Sequence, residues 1–196
     1  MALDASTGQL VAQTILTASS AGYMLQQLAS ASGPLLLSAA QGEDDYLSLL
    51  VTLDGESLTA TPCGTFDDPF TGSSNSSGSL LKLSLGGESL TRWDVTPTGS
   101  YTEVAEVKPD ALPISGQQFV LRPGYIDDNK IIAAAAEKDD WAPERSTHFL
   151  LDAHSLRVRG EISYPFPVSP DPVALGDGTW LTATGDEVFR WQVATP

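Results

Sequence analysis

The sequence predicts an all-β fold made of about four similar units of short strands and turns. Its 17 glycines and 13 prolines are spread along all 196 residues rather than concentrated in one tract. Short apolar segments with alternating polar residues lie between these turn-forming positions, which is typical of strands. An eight-residue pattern also recurs along the chain. A chain of this length is normally one domain, so we expect the units to share one fold.

The recurring pattern is an acid, any residue, an apolar residue, any residue, Arg, Trp, a polar residue and Val. It occurs at 88–95 and again at 186–193, which places Trp93 and Trp191 98 positions apart. Weaker strand ends that close on an Asp occur at 4, 54 and 152. Together with the polar residues at 94 and 192, these marks are 50, 40, 58 and 40 residues apart. A period that drifts in this range predicts repeated small sheets with connections of variable length.

Each mark is preceded by an apolar strand and followed by a more polar one. The predicted apolar strands begin near 34, 78, 130 and 178, and the predicted polar strands cover 9–15, 56–61, 101–107 and 156–162. Small sheets with two apolar faces bury those faces against each other when they form the blades of a β-propeller. We therefore predict one β-propeller domain over residues 1–196. Its approximate blades are 16–64, 65–107, 115–164, and 165–196 completed by 1–15.

The two ends of the chain predict how the ring closes. The last unit stops after its third strand, and the first unit begins with an outer strand, Gln9–Ile15. We expect this N-terminal strand to complete the last blade beside Val188–Val193, because the pairing would remove two open sheet edges. Four blades would then form a small closed ring in a monomer. The alternatives are a segment of a larger ring and two half-rings that pair to give eight blades.

Segments of the chain resemble the repeats of WD-repeat and quinoprotein-like propellers. Residues 169–193 resemble the inner half of a WD-type blade, and Leu90–Val95 resembles its Trp-Asp end. Ala2–Val11 is similar to the turn after the third strand of quinoprotein-like repeats. The resemblance implies a propeller fold. The similarity to quinoprotein-like repeats also implies a quinone-dependent oxidoreductase, which is one of three functional hypotheses.

Two segments favour a rival fold. Ala21–Ser32 and Ile131–Lys138 are rich in residues with good helix propensity. If both segments were helical, the fold would be α+β. The segment 65–78, in contrast, is Ser-rich and is predicted to be a flexible connection between blades.

The charge of the chain limits its partners. Ten Lys and Arg residues against 25 Asp and Glu residues give a net charge of −15. Such a surface repels phosphate backbones and anionic lipids, so we expect neither nucleic acid nor a membrane as a partner. A protein with a basic surface fits better. No signal peptide or membrane span is recognisable, which predicts a soluble protein.

Acidic loops could hold a cation. Consecutive acids occur at 43–45, 67–68, 127–128 and 139–140. Ca²⁺ takes six to eight oxygen ligands and is therefore the cation to consider. No loop has the Asp-x-Asp-x-Asp-Gly spacing, so we assign no metal-binding residue.

No residue pattern predicts catalysis. His148 and His154 are the only histidines, and we expect them at the surface or at a blade edge. Their spacing does not match a zinc site, and no Gly-x-Ser-x-Gly motif is present. The single cysteine, Cys63, cannot form a disulfide within the chain. We therefore assign no catalytic residue and no cofactor.

One loop is predicted to bind a partner. Trp93, Trp180 and Trp191 occupy strand positions that predict packing in the core. Trp141, however, lies among charges in a loop with Asp139, Asp140 and Arg145, and an exposed loop Trp is a suitable contact anchor. We predict a non-catalytic protein-interaction module or assembly subunit that uses this loop. The alternative is a carbohydrate-binding or carbohydrate-active propeller that uses the acidic loops and Trp141.

Overall fold

The computed structural model confirms the all-β class. It describes residues 2–3, 7–15, 23–27, 35–40, 46–66, 70–74, 77–84, 86–95, 101–138, 140 and 143–193. Within these ranges the only helical element is a single 3₁₀ turn, η1 (Pro109–Ala111). The strands are β1 (Ala2–Leu3), β2 (Leu10–Ala12), β3 (Tyr23–Gln27), β4 (Leu35–Ala40), β5 (Tyr46–Asp54), β6 (Ser57–Phe66), β7 (Phe70–Ser73), β8 (Leu80–Leu83), β9 (Leu90–Val95), β10 (Tyr101–Val107), β11 (Gln117–Asp127), β12 (Lys130–Glu137), β13 (Thr147–Asp152), β14 (Val158–Glu161), β15 (Val173–Ala174), β16 (Thr179–Thr184) and β17 (Glu187–Gln192).

The strands form consecutive antiparallel meanders. Sheet I has the order β3-β4-β5-β6, sheet II β7-β8-β9-β10, sheet III β11-β12-β13-β14 and sheet IV β15-β16-β17. A separate pair joins β1 to β2. Because each strand pairs with its neighbour in sequence, short turns are sufficient to connect them. The predicted apolar strands are the second strands β4, β8, β12 and β16.

The chain divides into two compact units. The first contains residues 1–27 and 34–69, and therefore the β1-β2 pair and sheet I. In this unit β4 is buried on both faces, with Leu36 and Ser38 on one face and Leu37 and Ala39 on the other. The second unit contains residues 28–33 and 70–196, and therefore sheets II, III and IV.

Sheet II packs its face against sheet III in the second unit. Leu81 and Leu90 of sheet II lie in one buried cluster with Ile131, Phe149 and Leu151 of sheet III. All five side chains are completely buried. Burial of side chains of this size contributes roughly 1.5–3 kcal/mol each before entropy is subtracted.

Sheet III packs its other face against sheet IV. Ile126 and Ile132 of sheet III contact Ala174 and Trp180 of sheet IV in a second buried cluster. Side chains of β12 thus alternate between two buried faces, so the strand reads as a continuous apolar run rather than an alternating one. Trp180 is 3% exposed, which confirms its predicted place in the core.

The helical alternative is wrong for Ile131–Lys138, because Lys130–Glu137 is the strand β12. Burial on both faces outweighs the helix propensity of four successive alanines. In Ala21–Ser32, the described residues Tyr23–Gln27 form β3 and the others lie outside the description.

The prediction of a flexible connection over 65–78 is also wrong in part. Phe70–Ser73 is the strand β7, and Phe70 is completely buried. The strand was not predicted because the segment is rich in serine and glycine, and Phe70 is the single large apolar side chain that anchors it.

The N-terminal strand has a nearer partner than the sequence predicted. Leu10 pairs with Leu3 and Ala12 with Ala2. Sheet IV has three described strands with β17 at its edge, whereas sheets I, II and III have four.

One glycine permits the close approach of sheets II and III. Gly87 lies in the β8–β9 turn with a φ of 64°, and its carbonyl accepts a hydrogen bond of 3.0 Å from the Phe119 amide. A Cβ at this position would lie 2.0 Å from the Phe119 carbonyl oxygen. Gly78 also has a positive φ, of 68°, but a Cβ there would meet no atom within 4 Å.

We expect Gly87→Ala to lower the free energy of unfolding by about 2–4 kcal/mol, since it adds a backbone clash to the left-handed conformation. Gly78→Ala, the matched control, carries only the conformational cost of about 1–2 kcal/mol. Urea unfolding measures both. Equal losses in the two variants would contradict the tight packing at Gly87.

Candidate functional site

Three sheets of the second unit carry a cation and a carboxylate at the same end, where the second strand begins and the third strand ends. We call this end the charged rim. Its ion pairs are Arg92–Asp94 in sheet II, Lys130–Asp127 and Arg159–Asp152 in sheet III, and Arg190–Asp177 in sheet IV.

Arg92 of sheet II is the least exposed cation of the four pairs. The Arg92 guanidinium donates from Nη2 to Asp94 Oδ2 at 2.6 Å and from Nε to Oδ1 at 3.1 Å. The Ser79 hydroxyl donates to Asp94 Oδ1 at 2.5 Å. Burial acts to raise the pKa of Asp94, but the hydrogen bonds from Arg92 and Ser79 outweigh it and hold that pKa below its usual value. Asp94 is therefore a firmly ionised acceptor.

The sheet III rim is built on Asp152. Its carboxylate accepts hydrogen bonds from the backbone amides of His154 and Ser155 and from the Ser155 hydroxyl. Arg159 Nη2 donates to the second oxygen at 2.5 Å. The Arg159 hydrogen bond chiefly, and then those from Ser155, hold the pKa of Asp152 well below its usual range. This carboxylate organises the whole β13–β14 turn.

Sheet IV repeats the arrangement with Asp177. Its carboxylate accepts from the Thr179 amide and hydroxyl and from Arg190 Nη2, the last at 2.6 Å. The Thr179 hydrogen bond chiefly lowers the pKa of Asp177. All three clusters therefore combine an arginine, a hydroxyl or amide donor and an ionised carboxylate.

Hydrogen bonds to backbone carbonyl oxygens join these clusters into one rim. Arg92 Nη1 crosses from sheet II to donate to the carbonyl oxygens of Ala153 at 3.2 Å and His154 at 2.5 Å in the β13–β14 turn. The Gly178 amide of sheet IV donates to the Ile126 carbonyl of sheet III at 2.8 Å. Tyr125 is buried at the same end, and burial raises the pKa of its hydroxyl far above the usual value, so it stays neutral.

The loop predicted to bind a partner lies at the opposite end of sheet III. Lys130 pairs with Asp152 at the rim end, and Ala135 pairs with Thr147 at the other end, where 138–146 connect β12 to β13. Of the predicted binding residues, Asp140 and Arg145 are exposed in this connection. Asp139 and Trp141 lie outside the described residues.

The connection between β12 and β13 is held at both described ends. The Asp140 amide donates to the Glu137 carbonyl at 3.2 Å. At the other end Pro143 is buried, and the Ser146 hydroxyl donates to the Pro170 carbonyl at 2.6 Å. Arg145 is thus displayed on a fixed base rather than on a free loop.

A buried network of hydrogen bonds, centred on His148, supports the Arg145 end of this connection. His148 is 2% exposed, so the prediction of a surface position is wrong for it, whereas His154 is exposed as predicted. Because the Pro170 carbonyl only accepts, His148 Nε2 donates to it at 3.1 Å, and Nδ1 accepts from the Tyr164 hydroxyl at 2.8 Å. Trp180 Nε1 donates to Tyr164 Oη at 2.9 Å. Every member is satisfied with a neutral imidazole.

The two repeated tryptophans each make one side-chain hydrogen bond and one ring contact. Trp93 donates from Nε1 to the Thr91 hydroxyl at 2.9 Å, and Trp191 donates to the Thr182 hydroxyl at 2.8 Å. Each is half-buried and meets another ring edge to face, with centroid distances of 6.1 Å for Phe70–Trp93 and 5.0 Å for Tyr164–Trp191. The two tryptophans therefore share a position on the third strand of their sheets, opposite Leu80 and Trp180, whereas their hydrogen-bond acceptors lie on different strands.

Sequence reasoning missed the charged rim. The arginine before each repeated tryptophan, Arg92 and Arg190, was visible in the pattern, as was the turn that follows Asp152. Their partners across the strand pair were not visible in the sequence. Asp177 lies 13 positions before Arg190, and Ser79 lies 15 positions before Asp94, to which it donates.

Among the described residues, no group of three or more His, Cys, Asp or Glu side chains is arranged to hold a metal ion. None of the described segments forms an apolar helix of the length that a bilayer requires.

Comparison with protein-family models and with curated proteins gave no match to this sequence. The function proposed below is therefore argued from the geometry of the chain itself.

His148 predicts a pH dependence of stability. Burial lowers the pKa of its imidazole, and the hydrogen bond to Pro170 offsets this only partly. The unfolded chain therefore binds more protons than the folded chain below about pH 6.5, and the contribution to stability is lost as the pH falls through this value. Between about pH 7.5 and 5.5 we expect the free energy of unfolding to fall by about 1 kcal/mol from this group. His148→Gln should remove that loss in urea unfolding, and His154→Gln should retain it; equal pH dependence in the two variants would contradict the role of His148.

Proposed function

We propose that this chain is a protein-binding module in which sheets I to IV are the blades of a four-bladed β-propeller. In this proposal the frame holds the β12–β13 connection, which contacts a partner protein. One observation carries the binding function: the end of the connection is fixed by buried Pro143 and by the hydrogen bond of Ser146, while Arg145 between them is exposed to solvent.

The stacking of the second unit supports the propeller. Sheets II, III and IV pack face to face in chain order, and sheet III is covered on both faces. Within each repeat, successive side chains of the third strand point to opposite faces. Arg92 faces the following sheet, because it reaches the turn of sheet III, and the adjacent Trp93 faces away from it. Packing of each sheet against the next one along the chain is what a ring of blades requires.

Sheet IV supports closure of the ring. Its Trp191 faces the preceding sheet III, so the adjacent Arg190 lies on the other face. That face carries Val173 and Val188, which are 47% and 67% exposed. An exposed apolar face and an edge strand, β17, are features that a further sheet and strand would cover. We propose that residues 9–15 pair beside β17 and complete this blade.

Charge defines the partner. The chain has a net charge of −15, and Asp140 and Glu144 are exposed in the connection. We propose a partner with a basic surface and a carboxylate that receives Arg145. Trp141 lies between these residues in the sequence and would supply the apolar anchor, since Trp and Arg are enriched among residues that dominate binding energy.

Ring closure predicts a disulfide. In a Cys63→Ser background, Gln13→Cys is combined in turn with Val188→Cys, Arg190→Cys and Gln192→Cys. A strand of 9–15 beside β17 would bring at least one pair within about 7 Å between Cα atoms, which permits a bond within one chain. The matched control pairs Gln13→Cys with Asp128→Cys. Light scattering and mass spectrometry should show a cross-linked single chain; cross-links only between two chains, or none faster than the control, would contradict closure within a monomer.

Binding by the connection predicts selective losses. The immobilised chain should enrich a protein from an extract of the organism that encodes it, and the purified partner is then titrated by calorimetry. We expect Asp139→Lys with Asp140→Lys, Trp141→Ala and Arg145→Ala to weaken binding by about 2 kcal/mol or more each. Circular dichroism checks that each variant folds.

Asp128→Lys is the control, because it makes one such Asp→Lys charge reversal at an exposed turn of the same sheet, at the charged rim. It should retain binding. If the control and the connection variants bind alike, or if no protein is enriched, the proposed function is wrong.

A further inference from the structure

A groove runs between the outer strands of sheets II and III. One wall is the end of β10 with η1, and the other is the β13–β14 turn with the start of β14. Two adjoining depressions of about 490 and 430 Å³ form it, and they share Ser155, Arg157 and Val158. None of the described residues between 138 and 146 lines the groove, and Asp152, which does line it, lies at the opposite end of sheet III from the β12–β13 connection.

The floor of the groove is apolar. Val107 and Leu156 are buried in the cluster that joins sheets II and III, and Val158 is half-buried against it. Val107 and Val158 lie on strands β10 and β14, each of which is the outermost described strand of its sheet. Edge strands present backbone amides and carbonyls that an extended segment can pair with.

The walls are charged, in a chain whose ten basic residues all lie from Lys82 onward. Three of the ten line the groove, namely Lys108, Arg157 and Arg159, beside the three carboxylates of Glu106, Asp110 and Asp152. Lys108 lies 3.8 Å from Glu106, and Arg159 pairs with Asp152 at 2.5 Å. Arg157 is exposed and has no carboxylate within ion-pair distance among the described residues. It is the cation of the groove that is available to a ligand.

The wall that carries Arg157 is preorganised. Leu156 has a φ of 56°, which is an unfavourable backbone conformation for a residue with a Cβ, and its side chain is completely buried. Such strain persists only where the surroundings hold it, and strained residues cluster at binding sites. Here the Asp152 carboxylate fixes the turn, and the Leu156 amide donates to the Asp152 carbonyl at 2.9 Å. Arg157 is therefore held outward without a cost at the moment of binding.

We propose that this groove binds an extended segment of a partner protein that carries an acidic side chain. The carboxylate of the segment pairs with Arg157, and its apolar side chains cover Val107 and Val158. A guanidinium recognises a carboxylate through two parallel hydrogen bonds, which gives the contact a defined geometry. This inference concerns a second binding surface, and it does not depend on the contact made by Arg145 and Trp141.

A displayed library of random 12-residue peptides, selected on the full chain, tests the groove. We expect the selected peptides to be enriched in Asp or Glu flanked by apolar residues. Arg157→Glu should weaken them by about tenfold or more in fluorescence anisotropy, because it replaces the attraction with repulsion. Arg157→Lys should retain part of the affinity, since it keeps the charge but loses the paired geometry.

Arg145→Glu is the matched control, because it makes the same change on the β12–β13 connection. It should leave peptide binding unchanged, and it separates a failure of this groove from a failure of the proposed function. A library that yields no binders, binders without acidic residues, or equal losses with Arg157→Glu and Arg145→Glu would each overturn the inference.

Discussion

The burial of sheet III on both faces is the constraint on which the second unit depends. Sheet II covers one face and sheet IV covers the other, so β12 exposes almost none of its side chains. A strand in this position must carry apolar side chains on both faces, and these must be small enough for both neighbouring sheets to approach. Alanines at four successive positions meet both requirements, and Gly87 extends the same close approach to the turn of sheet II. The stability of the unit therefore resides in packing between sheets rather than in any one polar contact.

Because the faces are occupied by packing, polar chemistry is confined to the ends of the sheets. At the charged rim, most ion pairs are partly exposed, and because solvent screens such pairs they add little to stability. Their main effect is to fix the turns and to join neighbouring sheets, as Arg92 does by donating to backbone carbonyls. At the other end the hydrogen-bond network of His148 is buried, and both ring nitrogens have partners. It therefore specifies one arrangement of the segment that contains Tyr164 and Pro170. One end is therefore an open charged surface, and the other is a fixed base for a displayed connection.

The repeat has a direction that follows from strand geometry. Adjacent residues of a strand point to opposite faces, so an Arg-Trp pair sends a cation one way and an indole the other. In sheet II the arginine reaches sheet III, and in sheet IV the tryptophan contacts sheet III. In the Arg-Trp dipeptide, which is repeated 98 positions apart, the arginine of sheet II thus faces the following sheet and the tryptophan of sheet IV faces the preceding one. This orientation also explains why Arg190 and Val188 lie on an exposed face, whereas the Arg92 face is covered.

The sequence by itself determined the all-β class, the second strand of each sheet and the equivalence of Trp93 with Trp191, because alternation and turn residues are local signals. It could not decide between strand and helix for the alanine run, because only the neighbouring sheets settle that choice. It placed Asp140 and Arg145 in one exposed loop, but it missed the charged rim and the groove at Arg157. Those sites unite residues from different strands and sheets, and the tertiary structure alone brings them together. His148 shows the same limit, since burial depends on what packs around a residue and not on its neighbours in the chain.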